Sequence, residues 1–192
     1  MPTFREGTLR FDFPADWQVV HYDRDADPTS GTAPGFYRRV VTNGGVKQVQ
    51  AIDFVCLPLA APKKLLFLEI KDDRLDTRAE GERRTLLYEA VLSKVASTLA
   101  GLLLAERLRA QLPSDEVQPL ACLSELPLIE VALFWLEPPV PSNTLRRIVK
   151  KDGKTLLQQR LTAKLLQWDM PFTLYNLTDA DRLPMEWQAR EV

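Results

Sequence analysis

Residues 46–71 read VKQVQAIDFVCLPLAAPKKLLFLEIK, and the reading of this stretch decides the rest. Residues 46–57 are rich in Val, Ile, Phe and Leu and follow the turn signal Asn43-Gly44-Gly45, which predicts a strand. Residues 65–71, LLFLEIK, predict a second strand. The seven residues 58–64 between them suit an antiparallel hairpin. With Leu57 set opposite Leu65, the same register places Asp53 opposite Glu69. Directly opposed residues hold their Cβ atoms roughly 4.5–5.5 Å apart. Side chains alternate along a strand, so Glu69 and Lys71 share one face while Leu66, Leu68 and Ile70 take the other.

Working outward, residues 79–109 lack proline and repeat apolar residues at helical spacing (Leu87, Val91, Val95, Leu99, Leu102, Leu103). Residues 126–136, LPLIEVALFWL, form a buried-strand candidate closed by Pro138, Pro139 and Pro141. Residues 154–168 read as an amphipathic helix and residues 172–177 as a short last strand. Residues 11–22 hold a short helix or strand, and residues 23–35 a loop rich in Asp, Pro and Gly. This order predicts an α/β chain with a mixed β-sheet flanked by helices on its faces, in a single domain. Residues 1–45 form an N-terminal element and loop packing on a 46–136 core, and residues 137–192 a helix-strand extension of the same domain.

Composition narrows the chemistry. The 192 residues carry 25 Lys and Arg against 26 Asp and Glu, a net charge of −1, with one histidine and two cysteines. Cysteine- or histidine-rich zinc sites are excluded within one chain, as is a uniformly polybasic surface. Cys56 and Cys122 lie in apolar segments and are expected as buried thiols. Residues 1–13 show no signal-peptide pattern, and the apolar run 99–105 is far shorter than the ~20 residues of a membrane span. A cytoplasmic protein with no membrane partner is expected.

What remains is carboxylate and lysine. Two carboxylates converging on an apolar sheet repel and resist burial. A divalent cation relieves both, and Mg²⁺, which binds through one or two carboxylates and keeps several waters, suits so small an oxygen-ligand set. Such an ion activates water as a nucleophile, and Lys71 is placed to orient or deprotonate that water and to offset charge on phosphorus.

Asp53, a fifteen-residue gap and then Glu69-Ile70-Lys71 resemble the PD-(D/E)xK nuclease superfamily, the restriction-endonuclease-like fold, over roughly residues 46–136. The resemblance implies that Asp53, Glu69 and the Ile70 carbonyl bind Mg²⁺, with Mn²⁺ as a substitute, and that Lys71 assists the water. Ile52 stands where the superfamily's name has proline. The stretch Trp17-Gln18-Val19-Val20-His21-Tyr22-Asp23, with Phe36-Tyr37-Arg38, is similar to a poorly characterised bacterial branch of that superfamily, in which lysine stands in place of His21.

Other residues are weighed beside this core. Asp23 and Lys94 are accessory candidates, although a turn residue and a snorkelling lysine explain them too. Glu6 has the standing of Asp23 with less support. Asp72, Asp73 and Asp76 read as solvated acids leading the helix, and Glu130 as the partner of a helix lysine. His21 and the four tryptophans read as packing residues. Arg74 is a nucleic-acid-binding candidate, as are Arg146, Arg147, Lys150 and Lys151. The last four lie in a 142–168 stretch with seven bases and one acid, whose Asp152-Gly153 predicts a turn.

The reading is a Mg²⁺-dependent phosphodiesterase that hydrolyses nucleic acid, preferably DNA, with endo- or exonuclease action left open. A homodimer through residues 86–108, or a larger complex in phage defence or repair, would supply specificity. The alternative is an inactive nuclease-like binding or assembly subunit.

Overall fold

The computed structural model describes residues 1–25, 34–42, 50–60, 64–108, 123, 127–138, 144–177 and 186–192, without the side chains of 40, 42 and 144–152. Cys122, the expected turn 43–45 and residues 46–49 of the first expected strand lie outside the described residues.

The architecture is mixed α/β with two sheets. A five-stranded sheet runs β3 (Trp17–His21), β4 (Phe54–Pro58), β5 (Lys64–Asp72), β6 (Leu128–Leu136), β7 (Phe172–Tyr175). Its first three strands are antiparallel neighbours and its last three parallel. The parallel half is made by two crossovers, through α1 (Glu80–Arg107) between β5 and β6 and α2 (Thr144–Leu166) between β6 and β7. The central strands β5 and β6 are apolar and almost wholly buried, as strands covered on both faces must be.

The expected helices flank the five-stranded sheet, but α1 and α2 lie on one face only. Successive right-handed crossovers that step in one direction place their helices on the same side. Leu87, Val91 and Val95 of α1 and Leu157, Leu161 and Leu165 of α2 accordingly share one core with Leu65, Phe67 and Leu133. The opposite sheet face, with Phe54, Leu66, Leu68 and Phe134, is covered by a three-stranded sheet of β1 (Thr3–Glu6), β2 (Leu9–Asp12) and β8 (Gln188–Glu191), whose order is β1-β2-β8. Leu9, Phe11, Phe13 and Trp187 fill that second core. Both ends of the chain thus meet in the small sheet.

Two further expectations change. Among the described residues 50–57 of the first expected strand, β4 begins only at Phe54. Asp152-Gly153 makes no turn but lies inside α2. There a Cβ on Gly153 would stand 1.3 Å from Arg84 Nη1 and 2.6 Å from Glu80 Oε1, so the glycine admits the Glu80–Arg84 ion pair of α1. Arg160 of α2 adds a cation–π contact over Tyr88, 4.4 Å from the ring centroid.

α1 is long and apolar enough to cross a membrane by length and composition, but its buried stripe packs on the sheet. Where it passes over Tyr22 and Tyr37 it carries Gly101, at which a Cβ would stand 2.6 Å from Tyr22 Oη. That hydroxyl is buried and has no hydrogen-bond partner among the described residues. Gly101→Ala should therefore lower stability in urea unfolding, although alanine favours a helix interior by about 1 kcal/mol. Tyr22→Phe, which removes the crowded and unpaired hydroxyl, should be neutral or stabilising alone and should rescue Gly101→Ala. A stabilised Gly101→Ala would mean that the contact is not tight.

Candidate active site

The hairpin register is the expected one. Phe54 pairs with Leu68, Val55 with Phe67 and Cys56 with Leu66, and one further step brings Asp53 to Glu69. The ladder ends there for a local reason. The Ile70 N–H, which would donate to β4, donates instead to Asp53 Oδ2 at 2.7 Å. The Ile52 N–H donates to Thr98 Oγ1 of α1 at 3.0 Å. The Asp53 carbonyl accepts the Tyr22 N–H at 2.8 Å. Asp53 is therefore held by the edge of β5, by the end of β3 and, through Ile52, by the helix. In a strand, the N–H and C=O of one residue point to the same side, so the Ile70 carbonyl also faces Asp53.

Glu69, 3% exposed, lies on the helix-facing side of β5. Lys94 of α1 reaches down to it: Nζ is 2.6 Å from Glu69 Oε1 and 3.7 Å from Asp53 Oδ1. Lys94 also anchors Thr98, whose hydroxyl donates to the Lys94 carbonyl at 2.8 Å. Glu69 Oε2 is buried and has no hydrogen-bond partner among the described residues. Burial, then the charge of Asp53, push Glu69 up to about 8 against the pull of Lys94. Burial likewise raises Asp53, opposed by Lys94 and the Ile70 N–H. For Lys94, burial works against the ammonium, but Glu69 and Asp53 outweigh it and hold its pKa above the ordinary value.

Lys71 shares the Glu69 face as expected and its side chain is 43% exposed, with Nζ 3.7 Å from Asp73 Oδ1. Its charge favours ionised Glu69. Asp73 is a correction: it is buried, not solvated. Its Oδ2 accepts the Trp135 indole N–H at 2.9 Å and its own N–H donates to the Leu136 carbonyl. It is thus a rigid counter-charge beneath Lys71. Asp76, also expected as solvated, is bound by Arg78 and mostly covered.

Asp23 lies near the site, since the fields of Lys94 and Asp53 reach it, but its carboxylate is a brace. Oδ2 accepts the Ala51 N–H at 2.9 Å and Oδ1 meets Arg38 Nε at 2.6 Å. Glu6 arrives at the margin from β1, its pKa raised by burial and then by Asp53. His21 stacks on Phe54 at 4.5 Å. Burial pushes its pKa down to about 4, so its 3.7 Å approach to Glu6 joins a neutral ring to the acid at pH 7.

Arg74 is engaged by Asp72, Glu191 and Thr8. Arg146, Arg147, Lys150 and Lys151 lie on the first turns of α2, and their side chains are outside the described set. Glu130 pairs with Lys64 of β5 at 3.0 Å, a strand rather than a helix lysine. Lys94 proves central where it was only accessory. Thr98 was missed, because a buried threonine in an apolar helix carries no signal until its register on the sheet is known.

Among the described residues no three His, Cys, Asp or Glu side chains form a metal-holding group. The donor set is two carboxylates and one carbonyl, which fits a hard cation that retains waters. The unpartnered buried oxygen of Glu69 is the observation that favours the fit.

The raised Glu69 pKa has a pH signature. A carboxyl at about 8 when folded and near 4.3 when unfolded contributes stability that is fully present below the unfolded value. That contribution is lost as pH rises to 8. In chelator, wild-type stability should fall over this window, by on the order of a few kcal/mol, while Glu69→Gln should be nearly flat. Mn²⁺ should restore the wild type at pH 8 but not the variant. Parallel pH profiles for the two proteins would contradict a buried, proton-holding Glu69. No family model, curated protein or solved structure matches this chain.

Proposed function

We propose that this chain is a divalent-metal-dependent nuclease with a restriction-endonuclease-like core. The observation that carries the reading is the convergence of Asp53 and Glu69 at the point where β4 leaves the ladder, with a buried Glu69 oxygen still lacking a partner. The mixed sheet, with α1 crossing between β5 and β6, supports the same reading.

Asp53, Glu69 and the Ile70 carbonyl would hold Mg²⁺ or Mn²⁺, which when bound supplies Lewis acidity at the phosphate and acidifies water. Lys71, steadied by Asp73, orients the attacking water and offsets charge developing on the non-bridging oxygens. Water adds to phosphorus and releases a proton to solvent, the ester P–O bond breaks, and the leaving oxygen takes a proton from solvent. Lys94 offsets the repulsion between the two carboxylates and lets them stay close when no cation is present. DNA is the expected substrate, in a cytoplasmic setting, with the basic start of α2 as a backbone grip and dimerisation or a defence or repair complex as a source of specificity.

One observation favours the second reading, an inactive binding or assembly subunit. The Lys94 ammonium already neutralises the acid pair, as a cation would. Cleavage of linear DNA in Mg²⁺ or Mn²⁺ separates the two. Under the nuclease reading, Asp53→Asn and Glu69→Gln should each lose about 10³-fold or more in rate, and Lys71→Met about 10²–10³-fold. Equal residual rates in wild type and variants, or no cleavage by wild type, would leave the inactive reading.

A further inference from the structure

The face of α1 that carries Lys94 continues toward its start through Ala90, Leu87 and Arg83, and this stripe walls a cavity of about 420 Å³ whose other side includes Glu69 and Lys71 of β5. Arg83 and Lys94 are about 16 Å apart along the helix axis, so the two cations stand at opposite ends of the wall with apolar surface between them.

Arg83 is not an ordinary helix-surface arginine. It is 8% exposed. Its Nη1 donates only long bonds, 3.3 and 3.4 Å, to the Asp76 and Arg78 carbonyls. Its buried Nε has no hydrogen-bond partner among the described residues. Leaving a buried donor unpaired costs about 1–3 kcal/mol, more when it is charged, and such a group calls for an acceptor that arrives from outside. Arg78 lines the same cavity. Of the cavity's cationic side chains, Lys71 pairs with Asp73, Lys94 with Glu69 and Arg78 with Asp76, which leaves Arg83 as the one whose guanidinium keeps a buried donor unpartnered among the described residues.

We propose that this cavity receives the terminal nucleotide of a nucleic-acid strand. Arg83 and Arg78 hold its end phosphomonoester, and the first phosphodiester lies at Asp53, Glu69 and Lys71. The proposal rests on the nuclease reading and names its substrate class. A phosphomonoester carries about −1.5 to −2 charge near neutral pH and so draws more from the unpaired Arg83 guanidinium than an internal phosphodiester with its single charge. The guanidinium fork suits phosphate oxygens. The apolar middle of the wall suits sugar and base, and the volume is that of a small-molecule pocket, too small for a stretch of duplex.

The test uses short DNA oligonucleotides ending in 5′-phosphate, 3′-phosphate or hydroxyl at both ends, together with a circular single strand. Binding is measured by fluorescence anisotropy in chelator, and cleavage in Mn²⁺. One of the phosphate-ended strands should bind about tenfold tighter than the hydroxyl-ended strand, a difference of about 1.4 kcal/mol. The preferred strand identifies which end the cavity takes. Arg78→Gln and Arg83→Gln should erase the preference. The wild-type comparison alone decides the matter if Arg83→Gln fails to fold. Equal binding of phosphate-ended, hydroxyl-ended and circular strands overturns the proposal, even if all are cleaved and the nuclease reading stands. End preference without cleavage of any strand keeps the phosphate site and removes the nuclease reading.

Discussion

Two carboxylates and an ammonium buried at one seam govern this structure. Taking such groups out of water costs several kcal/mol each unless partners are in place, and every neighbouring element supplies one. β5 gives Asp53 the Ile70 N–H, β3 ties the Asp53 carbonyl through Tyr22, and α1 delivers Lys94 to Glu69. An apolar helix stripe alone would tolerate sliding on an apolar sheet. The Lys94–Glu69 and Thr98–Ile52 contacts, one turn apart on the same helix face, set its register. The cavity beside the seam follows from that register, because it is walled by the helix face that leads back to Arg83.

Much of this was legible in the sequence where the signal was local. β5, β6 and α1 follow from long apolar or periodic segments. The opposition of Asp53 and Glu69 follows from a period of two on either side of a short connection. Four-residue strands such as β1, β2 and β8 carry too few residues to show an alternation, and β8 pairs with β2 from the far end of the chain. Asp152-Gly153 has the composition of a turn, but the glycine answers to a side chain of another helix, a fact absent from its own neighbourhood. Asp73 sits in an acidic run that reads as solvated. Its partner, the Trp135 indole, lies 62 residues away. Lys94, Thr98 and Arg83 were obscure for the same reason, since their roles depend on how a helix sits on a sheet.

The acid pair is compatible with two states of charge. With Lys94 as its nearest counter-charge, the pair retains a proton on the high-pKa Glu69 and leaves one oxygen without a partner among the described residues. Under the proposed reading, Asp53, Glu69 and the Ile70 carbonyl would hold a divalent ion, which would take the place of that proton and supply the missing partner of that oxygen. Lys94 would then face an acid pair whose charge the ion already compensates, and its hold on Glu69 would loosen. The nuclease reading depends on this exchange.

A crystal equilibrated with Mn²⁺ and measured for anomalous scattering tests the exchange most directly. The account predicts a single strong peak about 2.0–2.2 Å from oxygens of both Asp53 and Glu69, with the Lys94 ammonium displaced from its 2.6 Å contact. No peak at saturating Mn²⁺, with Lys94 still seated on Glu69, would contradict it.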